Sequence, residues 1–138
     1  MVNINTLADE LAEKGKDIES GFLFEVNPIP GEVEVLQIII EDREEFPVFI
    51  STSEEQILCI TYLFKEDEVK PEAMDEMNKA MLLTNISMPL STFGKIDGQY
   101  IIYGALSVES GLEEIVHEIE MLSGNVIEAI EAMSDYLK

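Results

Sequence analysis

The sequence predicts an α+β fold in which helices cover a mainly antiparallel sheet, with elements in the order α-β-β-β-β-α-β-β-α. Three observations support this prediction: short β-rich segments separated by polar turns, a strong Asp97-Gly98 hairpin signal, and a long helical periodicity near the C-terminus. A chain of 138 residues is expected to form one acidic domain, residues 1–138.

The first half of the chain predicts one helix and then four strands. Asn5 or Thr6 can cap the helix, Leu7 and Leu11 share one of its faces, and Gly15 can end it. The segments with strand composition are residues 22–26, 33–40, 47–51 and 57–64. The second of these is apolar almost throughout and is expected to be buried on much of both faces. Residues 27–31 hold two prolines and a glycine, which predicts a turn.

The second half predicts a helix, a hairpin and a final helix. Pro71 suits a helix start, and the helix is expected to reach about Leu83. The hairpin joins residues 90–96 to residues 99–107. Ser110 and Glu113 have the spacing of a capping box, and apolar residues follow at helical spacing as far as Leu137. The pattern leaves open whether the helix continues through Gly124.

The balance of charge restricts the partners. The chain has 29 acidic and 8 basic side chains, a formal net charge of −21 at pH 7, yet 46% of its residues are hydrophobic. This combination is typical of a folded domain. Nucleic acid and anionic lipid are expected to be repelled, whereas basic proteins are attracted. Solubility alone would also account for many of the acidic side chains.

The expected location is the cytoplasm. No apolar stretch approaches the roughly 20 residues that span a bilayer. Residues 1–7 show neither the basic nor the long apolar segment of a secretory signal. A single cysteine fits a reducing compartment.

Two residues with catalytic or metal-binding chemistry were considered, and neither predicts an enzyme. Glu114 and His117 have the E-x-x-H spacing of dimetal sites, but such sites need a second histidine and the chain has one. A surface His117 beside Glu113 or Glu114 is favoured. Cys59 lies in an apolar run and is expected to be a small core residue. We therefore expect no catalytic residue, metal or cofactor.

Two apolar stripes suggest either core or partner contacts. Met74, Met77 and Met81 fall on one helical face, and the core interpretation is favoured over an adaptable partner groove. The stripe on the final helix is longer than a small sheet is expected to cover. Its surplus predicts a homodimer or a protein partner, and the residues expected to make the contact are Ile119, Leu122, Val126, Ile130 and Met133.

Two stretches of the second half resemble a known bacterial family. They are residues 90–107, which contain Leu90-Ser91-Thr92-Phe93-Gly94 and Tyr100-Ile101-Ile102-Tyr103-Gly104, and residues 112–131 of the final helix. Both are similar to the YjfI family of small acidic proteins of unknown function. The resemblance supplies no catalytic motif. It implies a possible partner, because family members are often encoded beside a relative of the phage-shock membrane-remodelling proteins.

The predicted layout also resembles type III secretion chaperones and YbjN-like domains, which bind protein segments and commonly dimerise. The leading hypothesis is therefore a non-enzymatic, chaperone- or adaptor-like module that binds a basic or helical protein through a sheet edge or an apolar helix face. A phage-shock-type protein is the partner that the resemblance implies. The alternative is an acidic inhibitor that mimics nucleic acid and occupies a DNA-binding site.

Overall fold

The structure, a computed structural model, describes residues 3–138, so the first two residues of the N-terminal segment considered above lie outside it. The α-helices are α1 (Ile4–Gly15), α2 (Met74–Ser87) and α3 (Leu112–Met133). The strands are β1 (Phe24–Ile29), β2 (Val35–Ile40), β3 (Val48–Thr52), β4 (Ile57–Lys65), β5 (Thr92–Ile96) and β6 (Gln99–Leu106). Among the described residues, no helix combines the length and hydropathy needed to cross a bilayer.

The six strands form one antiparallel sheet in the order β1-β2-β3-β4-β6-β5. Strands that follow one another along the chain are neighbours in the sheet, except for β4 and β5, which lie on either side of β6. Along the chain, α2 and β5 come between the paired strands β4 and β6. The predicted α+β class and element order are confirmed. The hairpin signal is also confirmed, because Asp97 has the positive φ of 52° that tight hairpin turns require.

The helices divide the sheet into two unlike faces. α1 packs on β1, α3 packs across β3, β4 and β6, and α2 packs beside the edge strand β5. The side chains beneath them are buried in alternation along each strand, as with Ile57, Cys59 and Thr61 on β4. We call this side the covered face. The opposite side, where Leu58, Ile60 and Tyr62 of β4 point, is called the open face.

Two helix starts differ from the predicted ones by one to three residues. The side chain of Asn3 caps α1, since its oxygen accepts from the N–H groups of Asn5 and Thr6 at 2.9 and 3.3 Å. α3 begins after Gly111, whose N–H donates to Oε1 of Glu114 at 3.4 Å. The capping carboxylate is therefore one residue later than predicted. α3 is continuous through Gly124 over 22 residues.

The predicted turn at residues 27–31 is wrong in its first half, because β1 continues through Pro28 and Ile29. β1 is an edge strand, with β2 as its partner in the sheet. The Glu41 N–H donates to the Leu23 carbonyl at 3.0 Å, so the backbone groups of Leu23 point towards β2. Because this direction alternates along the strand, the backbone nitrogen of Pro28 points to the outer edge of the sheet. A proline is tolerated there because no ladder partner needs its missing N–H.

Candidate functional site

The partner-contact residues expected on α3 lie in the core. Ile119, Leu122 and Val126 are completely buried, and Met133 is buried to 3% exposure. Ile130 is half-buried and packs against the same cluster. These side chains are therefore not accessible to a partner in the folded chain.

The expectation of an apolar surplus on α3 is wrong because the sheet is wide enough to cover the helix. A 22-residue helix is about 33 Å long, and α3 crosses three strands and also contacts α1. The predicted methionine core is confirmed, since Met77 and Met81 are buried and Met74 packs against the core. The accessible apolar side chains lie elsewhere.

The opposite side of α2 carries the most exposed aliphatic side chains of any described helix. Leu82 and Leu83 are each 71% exposed and Ile86 is 85% exposed. At 100° per residue these three side chains share one side, away from Met77 and Met81. We call them the α2 ridge. Asp75 and Lys79 precede the ridge along the same side of the helix.

A cleft of about 280 Å³ lies between α2 and β5, beside the ridge. Leu82 of the ridge and Phe93 of β5 are among its lining residues. At its base the Asn85 side chain replaces the missing neighbour of the edge strand. Its oxygen accepts from the Phe93 N–H at 2.7 Å and its amide nitrogen contacts the Phe93 carbonyl at 3.5 Å. This pairing closes the central part of the β5 edge to an added strand.

The other sheet edge also offers few backbone groups. A groove of about 810 Å³ follows β1, and Lys16, Glu25 and Glu41 line part of it. Pro28 has no N–H, and the Phe24 carbonyl packs so closely on Gly15 that a Cβ there would collide with it. Strand addition needs a row of free N–H and C=O groups. Of the two surfaces expected from the sequence, the structure thus favours a helix face over a sheet edge.

The open face is largely apolar and, from β2 to β5, carries one charged side chain among the described residues, Lys65 at the end of β4. Register and alternation place on it Val35, Gln37, Ile39, Phe49, Ser51, Leu58, Ile60, Tyr62, Thr92, Gly94, Ile96, Gln99, Ile101, Tyr103 and Ala105. Glu25 on β1 and Lys65 beyond the β4 bulge lie at its margins. Charged residues make up 27% of the whole chain, so their scarcity on this part of the sheet is a property of the face itself.

Aromatic side chains cover much of the open face. The rings of Phe49 and Tyr62 lie 5.5 Å apart and are tilted by 59°. The Tyr103 ring lies over Gly94, where an added Cβ would come within 2.9 Å of it. Tyr62 itself is 48% exposed. The face thus presents rings rather than the polar side chains that usually cover the solvated side of an antiparallel sheet.

The covered face contains a buried carboxyl group that the sequence analysis did not single out. Glu118 of α3 is 2% exposed, and its Oε2 has no hydrogen-bond partner among the described residues. Burial raises the pKa of Glu118 to about 7. The group packs on Gly104, where a Cβ would collide with Oε1. Its position between Ile115 and Leu122 on the buried stripe was the available signal.

The two residues considered for catalysis are unsuited to act together. Cys59 is completely buried on the covered face, whereas His117 is exposed on α3. Burial, with a smaller contribution from the charge of Glu118, raises the pKa of the Cys59 thiol to about 12. The described residues include no pairing of His117 with a carboxylate, since their one ion pair joins Lys95 to Glu66 at 3.0 Å. Residues 3–138 also hold no group of three or more His, Cys, Asp or Glu side chains placed to bind a metal.

Comparison with known proteins identifies the family. The model of the family described as an uncharacterised protein conserved in bacteria, DUF2170, matches residues 1–137. The chain belongs to this family. It is 30% identical over 105 residues to the uncharacterised protein YjfI of Escherichia coli strain K12, covering 73% of this chain and 77% of that protein. YjfI of Escherichia coli O157:H7 matches equally well. The predicted YjfI kinship is confirmed.

Two solved structures share the fold at low sequence identity. An uncharacterised protein from Methanothermobacter thermautotrophicus superposes with a TM-score of 0.63 at 13% identity, over 95% of this chain and 99% of that one. YbjN from E. coli superposes with a TM-score of 0.57 at 18% identity, over 91% and 92%. The predicted YbjN-like layout is confirmed, and at these identities the likeness concerns the fold alone.

Proposed function

We propose that the protein is a non-enzymatic cytoplasmic adaptor that binds another protein through the α2 ridge. The observation that carries the proposal is the exposure of Leu82, Leu83 and Ile86, three large aliphatic side chains grouped on one side of a short helix. Scattered apolar side chains are ordinary on a protein surface, but a grouped set marks a contact site. The neighbouring cleft adds a concave wall against which a partner helix can rest.

Charge selects the kind of client. Asp75 and Lys79 precede the ridge on its side of α2, so the nearest charges balance, and a basic client would be attracted by the −21 of the whole chain. A client helix with an apolar face and basic residues would meet both the ridge and this attraction. A phage-shock-type membrane-remodelling protein, the partner implied by the family resemblance, is helical and is the client that we propose.

A regulatory role fits the same contact. YbjN, which shares the fold, is described as a proposed transcription regulator. A net charge of −21 opposes direct contact with DNA, so regulation by this chain would act through a protein. Inhibition by nucleic-acid mimicry gains no support, because the broad open face carries no carboxylate from β2 to β5.

The test is binding of the purified chain to the phage-shock-type protein of the same bacterium. Ile86→Glu places a charge at the most exposed position of the ridge and is expected to weaken binding at least about tenfold, the loss typical of an apolar contact residue. Ile18→Glu is the matched control, since Ile18 is 81% exposed but lies in the turn after α1. It is expected to leave binding unchanged.

Salt provides a second measurement on the same pair. Electrostatic steering predicts an association rate that falls as ionic strength rises, while dissociation changes little because the apolar contact remains. Equal binding by the Ile86→Glu and Ile18→Glu variants would reject the ridge as the site. An association rate indifferent to salt would reject the basic client.

A further inference from the structure

We infer that the open face is the interface of a homodimer, in which two copies of this chain pack sheet against sheet. The inference goes beyond the proposed adaptor role and does not rest on it, because α2 lies on the other side of the sheet. It begins from a contrast within the strands. Apart from Gln37, β2 is apolar on both faces, yet the helices cover one face only.

The chemistry of the open face is that of an interface core. Such cores are depleted in charged residues and enriched in aromatic ones. From β2 to β5 its one charged side chain is Lys65, at the end of β4, and Phe49, Tyr62 and Tyr103 supply the rings. The solvated side of an antiparallel sheet is expected to be mostly polar. Here the uncharged polar side chains number only four, Gln37, Ser51, Thr92 and Gln99, among many apolar ones.

Charge identifies the occupant as a second copy. A basic partner would gain no electrostatic attraction from a face without carboxylates, whereas the rest of the protein surface offers it many acidic side chains. The occupant must instead offer a broad, neutral, apolar surface. The open face of another copy is such a surface, and contact there keeps the margin residues, including Glu25, away from the centre.

The dimensions fit a modest dimer. Five neighbouring strands spaced by about 4.8 Å span roughly 20 Å, and two or three outward residues on each strand give a similar length. This footprint of roughly 400 Å² per copy is about half that of a standard interface, so the dimer is expected to be weak and to dissociate in the micromolar range. Two such sheets can pack about 10 Å apart with their rings interdigitated, and twofold symmetry gives both copies the same contacts.

The sign of the salt dependence separates this occupant from a basic one. Two copies that each carry −21 repel one another, and salt screens that repulsion while leaving the neutral contact intact. Sedimentation equilibrium of the full chain at about 50 mM and about 500 mM NaCl is therefore expected to show a dimer that is severalfold tighter at the higher salt, where the Debye length falls to a few ångströms.

Two substitutions on the face test its location. Tyr62→Glu and Ser51→Glu each place a carboxylate on the open face and are expected to make the protein monomeric, with a circular dichroism spectrum like that of the native chain. Ser51→Glu removes no ring, so it remains informative if Tyr62→Glu disturbs the fold. Ile18→Glu and Ile86→Glu carry the same charge outside the face and are expected to remain dimeric.

Three results would overturn the inference. The first is a chain that stays monomeric in both salts at about 100 μM, which is well above the micromolar dissociation constant expected for so small a footprint. The second is a dimer that neither open-face variant disrupts. The third is a dimer that weakens as salt rises. If the native chain is monomeric and Tyr62→Glu instead abolishes binding of the phage-shock-type protein, the open face belongs to a client. Loss of client binding in Ile86→Glu alone would leave the dimer untouched, so the two proposals can fail separately.

Discussion

The two faces of the sheet place charge in opposite ways. The covered face, shielded from water by three helices, contains the carboxyl group of Glu118 without a hydrogen-bond partner for one of its oxygens. The open face, which water can reach, has one charged side chain from β2 to β5, Lys65 at the end of β4, and no carboxylate. In a chain of net charge −21, one would expect carboxylates on the face that water can reach and none beneath the helices.

The contrast shows that net charge says little about any single surface. Acidic side chains are absent from the open face between β2 and β5, and among the described residues they lie on helices, turns and margins instead. The buried carboxyl is tolerated because a proton can neutralise it, and its raised pKa of about 7 reflects that. Both departures from the usual pattern can be tested by substitution.

The largest expected effect separates core from surface. Leu122→Ala, on α3 above the covered face, is expected to lower the free energy of unfolding by about 2–5 kcal/mol, because it leaves a cavity in a close-packed site. Tyr62→Ala on the open face is expected to cost about 1 kcal/mol at most, since it loses one cross-strand pair with Phe49. Urea denaturation at a protein concentration below the dissociation constant of the proposed dimer measures both losses of stability. Similar losses would erase the distinction between the faces.

The next effect concerns Glu118 and pH. In the unfolded chain its carboxyl ionises near 4.5, whereas in the folded chain burial raises its pKa to about 7. Stability from this group is therefore complete below pH 4.5 and is lost as pH rises to about 7. Glu118→Gln removes the ionisation, so the variant is expected to exceed the native chain by up to about 3 kcal/mol at pH 8.

Chemical denaturation of both proteins across that pH range measures the difference. It should shrink towards zero about one pH unit below 4.5, where the native carboxyl is neutral in both states. Glu120→Gln is the control because Glu120 lies two residues along the same helix and is exposed. It should change stability by no more than about 0.5 kcal/mol at any pH. If the difference in unfolding free energy between Glu118→Gln and the native chain did not change with pH, burial would not be raising the pKa of Glu118.

The smallest expected effect lies at the edge where the two faces meet. Asn85→Ala removes the side chain that pairs with Phe93 and is expected to cost about 1 kcal/mol. It also uncovers an N–H on the edge strand, so slow aggregation through β5 is expected. Asn85→Asp keeps the acceptor for that N–H and should aggregate less. Light scattering distinguishes the two variants, and equal behaviour would deny the edge-protecting role.

Much of the fold follows from local patterns in the sequence. Short segments of strand composition between polar turns predicted all six strands, and Asp97-Gly98 predicted the last hairpin correctly. Pro28 was misjudged because a proline interrupts an inner strand but not the outer edge of a sheet, and edge position depends on strand order. The first cap was misplaced because several neighbouring polar residues can fill that role.

The interaction surfaces could not be predicted from the same patterns. Periodicity shows that Ile119, Leu122 and Val126 share a side, but not how many strands lie beneath them. On α2 the methionine stripe predicted the core-facing side, but it did not predict that Leu83 and Ile86 on the opposite side are exposed. The expectation that β2 is buried on much of both faces is met on one face only, because Val35, Gln37 and Ile39 are half-buried. Which face the helices would leave open depends on tertiary packing.

The pairing of β4 with β6 has a consequence for how the chain folds. Every other strand pair joins consecutive strands, whereas this pairing closes a long loop over α2 and β5 and so contributes most to contact order. Cys59 and Gly104 meet on this seam, and Glu118 rests on Gly104. The carboxyl therefore loses its water as the seam closes, and refolding in a stopped-flow instrument should slow between pH 4.5 and about 7 in the native chain but not in Glu118→Gln.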